Sequence, residues 1–519
     1  MLRAALCLAA LLGPAPLAAQ GSRHWRPEER VIIEDFSWVQ AIAASDEIVY
    51  AATRGGLGVY DRRFRRWEPP VTRLDGYPAE RVLAALVDPS DRSLWLGTEQ
   101  GLVHYQPTLR LFERIIVPGG VDAMMFDRDD PFRGLFIAAG RGWQFLPRGS
   151  PIPTPAQGLP GPGRRIASTT AEEVLARFPF VSALRPLTLT DERLRQYRYT
   201  AGSEVESVEE AYLGTNGYGV VRVDALTASL EPMPFGLLSP VAGAVTPAGD
   251  GVWVGSGPTR RVGFTHVSRD AQEYRYEEGP AAGFRFRDVR DLVALDGDLW
   301  AATDAGVIHV GGGREEPLTT STGLPTDNAF AVAAAAAGVW IGTARGLAFA
   351  SDEGVVERVD ARVSDAVLAL APLGDTVWVG TARGLAVTWR GRGEILIPPD
   401  VRRVPQLADP IRALALTGDT VVAATFERIL WRAPGAEWVV ERIFRDLGDV
   451  VALAGDPGGV WIAGQRGVAF YGFGTRAYAI FNAPDDLPAP VRDMAVTEQY
   501  VWLATEAGLV RFEKQALLP

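Results

Sequence analysis

One phrase recurs along this 519-residue chain and limits its fold more than any single motif does. It runs apolar, aromatic, apolar, Gly or Ala, Thr, two variable residues, Gly, Leu, then an apolar alternation. It reads VYAATRGGLGVY from Val49, LWLGTEQGLVHY from Leu94, VWIGTARGLAFA from Val339, VWVGTARGLAVT from Val377 and VWLATEAGLVRF from Val501. Eleven copies align, with the aromatic position at Tyr50, Trp95, Phe136, Tyr212, Trp253, Trp300, Trp340, Trp378, Val422 (where the aromatic is lost), Trp461 and Trp502. Successive copies lie 38 to 47 residues apart, except for one interval of 76 between Phe136 and Tyr212. A period of this length marks a repeat architecture.

Each unit supplies the ingredients of a small antiparallel sheet. An alternating run such as 491–496 precedes the phrase, and a turn rich in Asp and Gly such as 454–459 joins them. The phrase itself reads as two strands with a tight hairpin, whose glycine (Gly101, Gly306, Gly346, Gly384, Gly467, Gly508) is predicted to take positive φ. The small residue after the aromatic (Gly97, Gly342, Gly380) leaves room for a neighbouring sheet. A fourth strand follows, as at 64–67 or 111–116. Four strands in about 41 residues cannot bury both faces alone, whereas stacking the sheets radially can. The expected fold is therefore all-β, a β-propeller of four-stranded antiparallel blades. The 56 glycines and 37 prolines are its turns.

The phrase W-[IVL]-G-T-x-x-G-L, with Gly323-Leu324-Pro325 (and Asp486-Leu487-Pro488) before a first strand, resembles the two-component-regulator propeller repeat. That repeat occurs in periplasmic sensor regions of bacterial hybrid histidine kinases and in stand-alone exported proteins. The resemblance covers nearly all of the chain after its leader and implies a non-enzymatic propeller with a sensing or scaffolding role. Unlike in the sensor arrangement, no membrane helix, kinase or trailing domain is expected from these residues.

Eleven copies and one doubled interval predict 11–12 blades, and rings usually hold four to eight. Two rings of about six follow, at 20–275 and 276–519, with an insertion or degenerate blade at 147–210. Within that segment a Thr169-Thr170 cap leads into a helix-like run over 171–177. An alternative stays open. The last copy stops soon after its third strand, near Phe512, while 25–33 reads as a spare fourth strand. Pairing the two would remove an exposed edge. It would give unequal rings closed by the N-terminal strand, or one large ring.

Residues 1–19 read as a secretory signal peptide, with Arg3, an apolar stretch and small residues at Ala18-Ala19. The expected location is periplasmic or secreted. Cys7, the one cysteine, lies in that leader, which argues against disulfides, thiolate zinc and a cysteine nucleophile in the rest. A net charge of −11 makes nucleic acid and anionic membrane surfaces poor partners. No later run of about 20 apolar residues suggests an integral membrane segment.

The candidate ligand-binding set is Gln40, Arg81, Arg290, Arg412 and Arg492, placed by repeat logic at the start of the inner strand, facing the channel mouth. Converging guanidiniums there would bind a carboxylate, sulfate or anionic sugar bidentately. Arginine is also the default cation here, since Lys514 is the only lysine among 52 basic residues. His104 and His309 share one repeat slot and read as structural, as does His266. The Asp-rich stretches 88–91 and 127–130 read as turns rather than calcium loops. Seven tryptophans occupy the repeat's aromatic position and belong to the core; Trp38, Trp143, Trp389 and Trp431 are less bound by the pattern. No nucleophile elbow, zinc-binding helix or phosphate loop is found, and no catalytic residue, metal or cofactor is expected. The favoured function is binding of a protein, peptide or carbohydrate. The alternatives are a glycosidase or polysaccharide lyase using channel carboxylates, and a structural envelope partner using 147–210.

Overall fold

In a computed structural model of the chain, residues 29–514 are described, except 141, 182–196, 206, 260, 279–284, 312–316, 352–354, 360–364, 392–393, 444–446 and 483–486. The expected signal peptide lies outside the described residues. Eleven antiparallel sheets follow one another along the chain, each the blade of a β-propeller. Numbered in chain order, blade 1 spans 39–67, blade 2 82–116, blade 3 123–155 and blade 4 199–233. Blades 5 to 11 begin at 242, 289, 329, 367, 413, 450 and 491. Blades 6 and 8 have three strands, and an isolated bridge (Val307 with Leu318, Val387 with Leu396) stands where the fourth would pair.

The phrase folds as its spacing predicts. Gly346 and Gly384 take φ of 113° and 114°, and a Cβ on Gly384 would lie 2.4 Å from the Leu407 carbonyl. Only glycine tolerates both the angle and the contact. Gly467 is not among the positive-φ glycines, contrary to the pattern. The small residues are gaps filled by the next blade. A Cβ on Gly97 would meet the Val121 carbonyl at 2.4 Å, and one on Gly342 would meet Val367 Cγ1 at 2.6 Å.

The aromatic position pairs across the hairpin with one recurring slot. Trp95 faces His104, Trp253 faces His266, Trp300 faces His309 and Trp502 faces Arg511. Trp95 and Trp300 stack on their histidines at 4.0 Å. In blade 9, where Val422 replaces the aromatic, the facing residue is Trp431, so the ring is supplied by the other strand. The histidines are thus packing partners, and burial pushes His104 and His266 below the usual imidazole range.

The inner strands pack in two circuits. Those of blades 5 to 11 touch in sequence, and blade 11 returns to blade 5. The strand Arg30–Ile33 supplies the fourth strand of blade 11, pairing antiparallel with Gly508–Glu513 from Arg30 opposite Phe512 to Ile33 opposite Leu509. Residues 25–28 of the expected strand lie outside the described residues. The inner strands of blades 4, 1, 2 and 3 touch in that order, and the segment after blade 3 completes this second circuit back to blade 4. Between blades 3 and 4 the chain adds a strand, Arg165–Ala167, to the inner edge of blade 3, and Thr169 Oγ1 donates to the Gly202 carbonyl of blade 4 at 2.7 Å. The helix Ala171–Arg177 follows, with Thr170 and Glu173 forming its capping box. The segment expected as an insertion or degenerate blade therefore fills the place of a blade without a four-stranded sheet among its described residues.

This packing corrects the expected division near residue 275. Blade 5 lies beside blade 6 in one circuit, so the 275/276 boundary falls between neighbours. The chain passes between circuits at 34–38 and returns at 234–241. These two segments run side by side, with Leu237 N donating to the Glu34 carbonyl at 2.9 Å and Asp35 bridged to Gly236. The physical reason is closure: once 30–33 completes the last blade, the chain starts in the later ring.

Filling the gap between blades tests this packing. Gly342→Val is predicted to lower unfolding free energy by about 1–3 kcal/mol or more in denaturant melts. Unchanged stability would contradict the close approach of Val367.

Candidate functional site

The inner strands carry a β-bulge near their start. In blade 11 the register passes from Val491–Thr505 to Asp493–Ala504, which leaves Arg492 as the extra residue. In blade 6 the extra residue is Arg290, and in blade 1 it is Gln40. Arg412 stands at the head of its strand in blade 9, where its amide donates to the Ala424 carbonyl at 2.8 Å. Bulges re-aim side chains, here into the channel. Arg290, Arg412 and Arg492 line one cavity of about 420 Å³ at the centre of blades 5 to 11. The bulge residues of the other blades in this ring are Gly243, Phe330, Leu368 and Val451. Arginine is therefore not the default occupant of the position.

Each guanidinium is held. Arg492 Nη2 donates to both carboxylate oxygens of Asp288, at 2.9 and 3.1 Å. Arg290 Nη1 bonds the Asn328 side chain and donates to the Ala329 carbonyl at 3.1 Å, and its plane lies 4.8 Å from the Phe330 ring. Arg412 lies 4.6 Å from Phe426. Arg290 and Arg492 are oriented through one Nη apiece and Arg412 by the Phe426 ring, and a guanidinium carries five donors.

Two carboxyls share the channel wall. Asp291 Oδ2 accepts the Val332 amide of blade 7 at 2.9 Å, and its Oδ1 accepts the Leu292 amide. Asp493 Oδ2 accepts the Val245 amide of blade 5 at 2.8 Å. The corresponding residues of blades 5, 7, 8, 9 and 10 are alanines (Ala244, Ala331, Ala369, Ala413, Ala452), so in two blades a carboxyl ties neighbouring inner strands together. Desolvation pushes Asp291 up to about 8, helped by the nearby Asp493 charge, and pushes Asp493 up to about 7.

The five residues expected to form one site do not meet. Gln40 and Arg81 belong to the smaller ring, where Gln40 Oε1 accepts the Val82 amide at 3.2 Å. Arg81 is also out of register: the bulge residue of blade 2 is Leu83, and exposed Arg81 precedes the strand. Arg81 thus lies two residues ahead of the position that Gln40, Arg290 and Arg492 occupy.

The Asp-rich turns have local partners. Asp88 is bonded by Arg148 Nη2 at 2.8 Å and by Trp95 Nε1, while Asp127 pairs with Arg164 at 2.7 Å. Among the described residues no group of three or more His, Cys, Asp or Glu is placed to hold a metal.

A second cavity, of about 560 Å³, lies where the linking segments run between the circuits. It is lined by Glu34, Asp35, Trp38, Asn216, Arg261 and Glu506 among others. Trp38 is 38% exposed with Arg54 stacked 3.7 Å from its ring. Burial pushes Glu34 up to about 7 and raises Asp35. Only Trp38's independence from the repeat pointed here from the sequence; the cleft exists because the N-terminal strand belongs to the later ring.

Neither a protein-family profile nor a curated protein sequence matches the chain. Solved propeller structures do. The extracellular domain of the putative hybrid two component system BT3049 from B. thetaiotaomicron is 14% identical with a TM-score of 0.44. It aligns over 91% of this chain and 61% of its own. The chain thus spans about three fifths of that domain. PorZ, a surface component of the type-IX secretion system of Porphyromonas gingivalis, is 13% identical with a TM-score of 0.45. It aligns over 92% of this chain and 68% of its own. The extracellular domain of the putative one component system BT4673 is 13% identical with a TM-score of 0.42, over 93% and 70%. Among the described residues no helix is long and apolar enough to cross a membrane.

The channel carboxyls give a stability profile with a definite sign. Their folded values lie above the ordinary 3.8, so the stability they contribute is full below 3.8 and lost as the pH rises through about 7 and 8. Asp291→Asn keeps an acceptor and removes one titration. Its melting temperature, relative to the parent's, is predicted to rise across that interval. A difference that does not vary with pH would contradict the burial of Asp291.

Proposed function

We propose that the chain is an exported, non-enzymatic protein of two propeller rings, four blades and seven, with a binding role in sensing or scaffolding. Its ligand is a protein, peptide or carbohydrate that presents a carboxylate, sulfate or acidic sugar to the seven-bladed channel. The observation that carries this reading is the convergence of Arg290, Arg412 and Arg492 on one cavity from three blades, at a position otherwise glycine or apolar. Planar guanidiniums already oriented by Asp288, Asn328 and Phe330 bind such oxyanions with little further ordering.

The channel carboxyls support binding rather than hydrolysis. Asp291 accepts two backbone amides and Asp493 accepts the Val245 amide of the adjoining blade, which suits a role in building the wall. Residues 1–19, which read in the sequence as a secretory leader, favour export.

Titration calorimetry with an oligogalacturonate, a heparin-derived oligosaccharide and a Glu-rich peptide tests the reading. At least one probe is expected to bind. The triple variant Arg290→Gln, Arg412→Gln, Arg492→Gln is expected to weaken it by about tenfold or more, with the melting temperature kept. Binding that the triple variant leaves intact, no binding of any probe, or steady release of new reducing ends would count against it.

A further inference from the structure

Arg290, Arg412 and Arg492 share the seven-bladed channel with two acids. Asp291 and Asp493, each the residue after one of these arginines, line the same cavity. Those five are the charged residues among its described lining. The inner strands of blades 5, 7, 8 and 10 bring apolar side chains, Gly455 and Thr246 to the wall and no titratable group. Asp288 stands outside the lining, as the partner of Arg492.

The acids and the arginines are neighbours without being partners. Arg492 bonds Asp288, and Arg290 bonds Asn328 and the Ala329 carbonyl. Asp291 is held by the Leu292 and Val332 amides, and Asp493 by the Val245 amide. Among the described residues no side chain donates to either carboxyl. A backbone N–H offers a carboxyl no acceptor, so the proton of a neutral carboxyl is left for whatever occupies the channel. The charge of the wall follows from the state of these two groups. With both ionised the lining carries a net +1, and with both neutral it carries +3. An anion in the cavity is repelled by an ionised aspartate and can accept a hydrogen bond from a neutral one. A poorly hydrated site enlarges that difference.

We propose that the channel binds its oxyanion together with protons, with Asp291 and Asp493 meeting the ligand as neutral O–H donors beside the three guanidiniums. This rests on the reading of the channel as an oxyanion site and adds the regulation of that site. The arginines supply charge that does not titrate, and the aspartates supply a switch. The coupling is reciprocal: a ligand that prefers the protonated wall raises the proton affinity of the wall by the same factor. Desolvation already places the switch in the neutral range, holding Asp291 at about 8, helped by the Asp493 charge, and Asp493 at about 7. Affinity is therefore full below about 7, where both groups are neutral before the ligand arrives, and falls as the pH rises through about 7 and 8.

Calorimetry of the full chain with the oligogalacturonate, heparin-derived and Glu-rich probes tests the proposal, since neither their acids nor arginine titrates between about pH 6 and about pH 9. At about pH 7.5, binding enthalpies in two buffers of different ionisation enthalpy are expected to differ by the amount that corresponds to uptake of about one proton per ligand. The Kd is expected to rise about tenfold or more from about pH 6 to about pH 9. In the double variant Asp291→Asn, Asp493→Asn it is expected to change by less than about twofold over the same interval. Proton uptake is read on the parent, so the test stands even where the double variant fails to fold. Binding that the Arg290→Gln, Arg412→Gln, Arg492→Gln variant loses but that takes up no proton would overturn the proposal and leave the oxyanion reading in place. A parent Kd that does not vary with pH, or a double variant as pH-dependent as the parent, would also overturn it. No binding of any probe would remove both.

Discussion

A blade of this protein is apolar on both faces, and everything else in the structure depends on giving each face a neighbour. Val121 fills the gap left by Gly97, and Val367 fills the one left by Gly342. A stack of such sheets has two raw ends wherever it stops, so it must curve until the ends meet. The strand Arg30–Ile33 completes that closure by covering the edge of Gly508–Glu513. Because the closing strand comes first in the chain, the four-bladed ring sits between it and the rest of the seven-bladed ring. The paired linkers and the cleft beside Glu34 and Trp38 follow from that order.

Closure also makes the channel. Arg290, Arg412 and Arg492 are far apart in sequence and stand in three different blades, and they share a cavity only because the seven inner strands form a circuit. The same circuit creates the environment of Asp291 and Asp493. Each reaches across to a neighbouring strand's amide, binding wall to wall at the cost of holding a carboxyl in a poorly hydrated place. The bulge serves both groups: it turns the arginine into the channel and the next residue toward the adjoining blade.

Much of this was legible in the sequence because a repeat displays its structural reasons many times. The gaps at Gly97 and Gly342, the shared slot of His104 and His309, the cap at Thr170 and the spare strand ending at Ile33 are all local features. They depend on a few neighbours in the chain. The rest depends on which distant blades meet, and a period carries no such information. The six-plus-six division failed because every blade looks alike until the circuit closes. Arg81 was misplaced because register is set by hydrogen bonds between strands, which put Leu83 and not Arg81 at the bulge. Trp431 was missed as the substitute for the aromatic lost at Val422 because compensation across a hairpin shows only when the strands are paired. The split of Gln40 from the arginines has the same origin as the misjudged rings.

The pairing of the first strand with the last tests the architecture most directly, since both the channel and the cleft depend on it. With Cys7 replaced by serine, cysteines at Ile32 and Val510 are the only thiols, and the two positions stand directly opposite each other. Mild oxidation of the folded chain is predicted to join them, giving a monomer of faster non-reducing mobility that keeps its melting curve. Two thiols that stay open to alkylation in the folded chain would contradict ring closure by the N-terminal strand, and with it the channel built on that closure.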